Sequence, residues 1–148
     1  MSDTSSLETL IELAEGDRDS AAKLLGELRS ARQKENSQLE LLLQYREDYR
    51  SRFEAAMQRG ITIAAMQNYQ RFLASLDNAI KHQRNQLNHS DGRVQRGEDN
   101  WRQQQKKVNS YDALRSRRHQ EANKRARRLE QQQNDEFASR ASSALDGL

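Results

Sequence analysis

Apolar residues recur at every seventh position from Leu7: Leu7, Ala14, Ala21, Leu28, Leu42, Tyr49 and Ala56, with Glu35 the one polar member. Companion positions three residues further on read Leu10, Asp17, Leu24, Ala31, Gln38, Tyr45 and Arg52. Eleven of these fifteen positions are apolar in a chain that is 34% hydrophobic, which marks a coiled-coil seam and argues against disorder. A second seven-residue count runs Met66, Leu73, Ile80, Leu87, Val94, Trp101 and Val108, all apolar. Its companions, Tyr69, Leu76, Gln83, Ser90, Gly97, Gln104 and Tyr111, are mixed, and after Tyr111 the pattern tapers into polar, basic sequence.

The step from Ala56 to Met66 is not a multiple of seven, so the seam is reset between them. Gly60 suits the left-handed position that ends a helix, Thr62 can cap the next one, and Ile61 with Met66 has the spacing of a hydrophobic staple. These few residues reverse a helix. The pattern predicts an all-α fold, a long antiparallel two-helix coiled-coil hairpin forming a single domain. Ser5 and Glu8 have capping-box spacing, which sets helix 1 at about 6–58, the turn at about 59–62, helix 2 at about 63–138 and a tail at about 139–148. Helix 2 then outruns helix 1. Residues 88–100 include two glycines and several turn formers, but Leu87, Val94 and Trp101 keep phase across them. The helix is expected to be continuous and locally flexible there. Centring the turn near 62 to 63 sets Ala56 opposite Tyr69 and Ala14 opposite Tyr111, with Leu24 and Leu28 beside Gly97 and Trp101.

Composition narrows the functional classes. The 148 residues include no proline and no cysteine, which favours long helices and removes disulfide and thiolate-metal chemistry. No apolar run approaches the roughly 20 residues of a membrane span, and the first ten residues lack the order of a signal peptide, so a cytoplasmic chain is expected. Residues 1–28 have a net charge of −5, whereas residues 102–128 have ten bases against two acids, a net of +8. His82 and His89 share a helical face, but no carboxylate or thiol stands where it would complete a metal site. There is no phosphate loop, no HExxH and no triad, so neither an enzyme nor a cofactor is expected.

Two surpluses remain. The basic segment after Trp101 can dock on an acidic protein, bind nucleic-acid phosphates, or be a solvated arm; only Tyr111 is available there for stacking. Leu39, Leu43, Phe53 and Phe72 lie off the two seams, near Tyr45, Tyr49 and Leu76, and call for a partner or self-association.

The stretches LETLIELAE, AAKLLGELR, QLELLLQYREDYR and QRGITIAAMQNYQRFLASLDNAI, the solitary Trp101 and the ending NDEFASRA together resemble the flagellar export protein FliJ family of the bacterial type III export apparatus. The resemblance covers nearly the whole chain. It implies a coiled-coil stalk that engages the hexameric export ATPase FliI, links it to the export gate protein FlhA and handles export chaperones, at the inner face of the cell membrane. By the same resemblance, gate contact falls on Gln38, Leu42, Tyr45, Tyr49, Phe72, Leu76 and Ala79. ATPase contact is implied where Leu7, Leu10 and Leu13 meet the basic part of helix 2, with Arg117, Arg118, Arg125 and Arg128.

Overall fold

The computed structural model describes residues 2–147. Two helices account for nearly all of them: α1, Ser2–Arg59, and α2, Ile63–Asp146. They pack antiparallel as an all-α hairpin, and no strand occurs among the described residues. The reversal follows the expected chemistry. Gly60 has φ +88°, and its N–H donates to the Met57 carbonyl at 3.2 Å. Thr62 opens α2: its Oγ1 accepts from the Ala65 N–H at 3.1 Å and its carbonyl from the Met66 N–H at 3.0 Å.

Both helices are longer than their sequence signals predict. Ser5 lies inside α1, where its carbonyl accepts from the Thr9 hydroxyl, so the capping-box start is not used and the helix begins at Ser2. The tail expected from 139 is helical to Asp146, because alanines at 138, 141 and 144 sustain the helix and nothing breaks it before Gly147. α2 runs without interruption through 88–100.

Contacts divide the chain into two compact units. Unit 1 joins residues 1–16 to 104–148, and unit 2 comprises residues 17–103 with the turn. In unit 2 the α2 seam follows its predicted phase: Leu76, Ile80, Gln83, Ser90 and Val94 are buried, and Gly97 packs against Leu25 and Leu28. The α1 seam departs from prediction by one residue. Leu25 is 6% exposed, whereas Leu24 is 48% exposed and Tyr45 52%. The companion row stands four residues after each heptad position, not three, and consists of Arg18, Leu25, Arg32, Leu39, Arg46 and Phe53. Leu39 and Phe53 are therefore half-buried seam residues and not surplus. The arginines fit because their aliphatic stems lie along the seam while their heads reach water: Arg32 pairs with Asp91, Arg46 with Asp77 and Arg18 with its neighbour Asp19.

One polar layer crosses the unit 2 seam. The Gln83 amide donates to the Glu35 carbonyl at 2.9 Å and to the Glu35 carboxylate at 2.6 Å, so the polar exception in the first heptad count is satisfied by the polar companion in the second. In unit 1 the same phase holds: Leu7, Ile11 and Ala14 of α1 and Val108 of α2 are buried, Ile11 and Val108 to 2% exposure.

Candidate functional site

In unit 2 an aromatic cluster spans both helices close to the turn. The Tyr49 ring lies 4.2 Å from that of Phe72 and 5.1 Å from that of Tyr69, and Phe53 lies 5.3 Å from Tyr69, all centroid to centroid. Tilted rings at these separations add to the energy of burial. Tyr49, Phe53 and Tyr69 are half-buried, while Phe72 is exposed to solvent. Tyr45, Asp48, Tyr49, Arg52, Phe72 and Leu76 line a shallow groove of about 410 Å³ there. Phe72 is 46% exposed, so large apolar area stands open to water beside charged Asp48 and Arg52.

This groove contains Tyr45, Tyr49, Phe72 and Leu76 of the predicted set. Gln38 is exposed outside it, Leu42 is a half-buried member of the α1 seam, and Ala79 is half-buried beside the α2 seam. Sequence reasoning missed Asp48 and Arg52, which show no departure from an ordinary solvated helix face until the fold sets them around the groove. The seam also missed Arg46, whose pairing with Asp77 straps the helices together next to Leu76. On the adjacent turns of α1, Arg50 donates to both Glu47 and Glu54. Its hydrogen bond and charge hold the Glu47 carboxyl below the usual range.

In unit 1 the start of α1 faces the middle of α2. A groove of about 560 Å³ there is lined by Leu7, Glu8, Asp112, Arg115, Arg118 and His119 among others. Arg115 bridges the two helices, donating to Asp112 at 3.1 Å and to Glu8 at 3.5 Å, so the acidic start of α1 meets the basic stretch of α2 as their opposite charges suggested. Leu7 is buried at the base of the groove and Arg118 is at its rim. Leu10 and Leu13, 44% and 61% exposed, lie outside it. Arg117 is exposed, and Arg125 and Arg128 line a separate, flatter surface with Glu121 and Lys124. The expected ATPase set is thus not gathered at one surface: Leu7 and Arg118 share the groove, Arg125 and Arg128 share the flatter surface, and Leu10, Leu13 and Arg117 line neither.

From Arg115 to Asp146 every residue of α2 is exposed, which leaves Leu129, Phe137 and Leu145 open to solvent at 58%, 76% and 72%. His82 and His89 are exposed as well. No described helix is long and apolar enough to cross a membrane.

A family model described as "Flagellar FliJ protein" matches residues 3–144. Two curated relatives are similar along almost their full length: the flagellar FliJ proteins of Escherichia coli (strain K12) and of Salmonella typhi. Each is 36% identical over 141 residues, spanning 95% of this chain and 96% of the relative.

Proposed function

The chain belongs to the flagellar FliJ protein family, and on that footing we propose that it is a non-catalytic stalk and escort of the flagellar type III export apparatus. It works in the cytoplasm at the inner face of the membrane. In this reading unit 1 engages the hexameric export ATPase FliI, the aromatic groove of unit 2 engages the export gate protein FlhA, and the same chain handles export chaperones.

The observation that carries the reading is the groove formed by Tyr45, Tyr49, Phe72 and Leu76. An aromatic centre with a charged rim is the make-up of a protein-binding hot spot, since desolvating the rings supplies energy while Asp48 and Arg52 set orientation. A groove this open does not shut out water around a reaction. It accommodates side chains of a partner.

Unit 1 offers a different kind of surface. Arg117, Arg118, Arg125 and Arg128 are solvent-facing, so their charges speed encounter with an acidic partner and orient it, with an effect screened over about 8 Å at physiological ionic strength. Nucleic acid is the competing partner for a segment of net charge +8. It is disfavoured because Glu130, Asp135 and Glu136 follow directly on the same helix, and because Tyr111 is half-buried and cannot stack on bases.

The test is to titrate the purified chain into the purified ATPase, and separately into duplex DNA, at low and physiological salt. Stimulated ATP hydrolysis with negligible duplex binding is the expected result. Tight, salt-sensitive duplex binding without stimulation would replace this reading with the nucleic-acid one.

A further inference from the structure

The face of α2 beyond its pairing with α1 is neither uniformly basic nor uniformly polar. Ala122, Ala126, Leu129, Gln133 and Phe137 follow one another at steps of three or four, and Ala144 stands one heptad past Phe137, so these residues share one side of the helix. All are exposed, Leu129 and Phe137 heavily so. A lone helix gains most of its stability from packing an apolar face, and this face packs on nothing among the described residues.

Charge decides what fits it. Arg125 and Glu136 are about three helical turns apart, which sets them on the same flank of the apolar face. Neither makes an ion pair among the described residues. When two copies of a helix pair antiparallel about a two-fold axis, each flank meets its own counterpart running in reverse. Arg125 of one copy then stands beside Glu136 of the other, and the symmetry repeats the pair. The register this sets is also complementary in size: Phe137 falls opposite Ala126, and Leu129 opposite the aliphatic stem of Gln133, each twice. Large meets small at the two Phe137–Ala126 layers, and the same register sets Ala122 opposite Arg140.

We propose that this face of α2, centred on Leu129 and Phe137, pairs antiparallel with the same face of a second copy of the chain. The reciprocal pairing of Arg125 with Glu136 sets its register. The pairing is a property of the chain alone, and it shares Arg125 with the basic surface proposed above for the ATPase.

Sedimentation equilibrium of the full chain at low salt, across the micromolar range, provides the test. Wild type is expected to dimerise with concentration, and less so as salt rises. Arg125→Glu or Glu136→Arg alone turns two attractive contacts into two repulsive ones and should lower the association constant by about tenfold or more. The double variant Arg125→Glu/Glu136→Arg restores both pairs within the dimer and should recover wild-type association to within about threefold. Phe137→Ala should weaken association with helicity, read by circular dichroism, unchanged. A chain that remains monomeric throughout overturns the proposal. So does a double variant no better than the single ones, which is the behaviour expected of a parallel pairing, where Arg125 meets Glu130 instead.

Discussion

Gly97 lies directly beneath Leu28: a methyl group added at Gly97 would stand 2.9 Å from the Leu28 Cδ1 and 3.4 Å from the Leu25 Cδ1. The two helices approach closely there because one of them has no side chain. Gly26, on α1, has open space around the same position. Replacing a helical glycine by alanine gains about 1 kcal/mol where nothing obstructs it, so Gly26→Ala should raise stability by roughly that amount. Gly97→Ala should gain less, because Leu28 must move, and Gly97→Leu should lose about 1–3 kcal/mol through overpacking. Urea denaturation of the three variants checks the order.

The phase of α1 makes a second prediction. Ile11 is 2% exposed and its neighbour Leu10 is 44% exposed. Ile11→Ala should cost about 2–5 kcal/mol, and Leu10→Ala less than about 1 kcal/mol. Equal losses in thermal or chemical denaturation would restore the seam first read from the sequence.

That misreading has a physical cause. The row three residues after each heptad position and the row four residues after it carry equal numbers of apolar residues, so counting cannot separate them. The tie is broken by Arg18, Arg32 and Arg46, which a hydropathy pattern scores as surface but which lay their stems along the seam and place their heads beside carboxylates. α2 held no such ambiguity. Its seven apolar positions from Met66 to Val108 sufficed, and Gly60 with Thr62 announced the turn. The groove was partly legible, since Tyr45, Tyr49, Phe72 and Leu76 stand out as aromatic and aliphatic residues. Asp48 and Arg52 were not, because a charged residue on a charged helix gains meaning only from what the fold sets beside it.

At the turn, Gly60→Ala should cost about 1–2 kcal/mol, since its φ of +88° is unfavourable for any residue with a Cβ. Thr62→Ala should cost about 1 kcal/mol by removing the oxygen that accepts the Ala65 N–H. If either change is neutral by denaturant midpoint, the turn does not hold the geometry described.

Acid should act locally on the Arg50 cluster. The folded state lowers the Glu47 pKa, so the stability it contributes is present above the unfolded carboxylate pKa and is lost as pH falls through the lowered folded value. Arg50→Gln removes the hydrogen bond and the charge. Side-chain NMR titration should then show Glu47 moving back up toward the ordinary carboxylate range, and an unmoved titration would mean that Arg50 does not hold it.

The most direct test of the proposed division of labour is to measure gate binding and ATPase stimulation in parallel for the double variant Tyr45→Ala/Phe72→Ala. Both side chains are about half exposed, so helicity should be retained. The groove should lose two of its three aromatic side chains, and affinity for the gate protein should fall by about tenfold or more. Stimulation of the ATPase should stay near wild type, because unit 1 is untouched. If gate binding is unchanged, or if both activities fall together while the chain remains helical, the assignment of gate and ATPase to separate units is wrong.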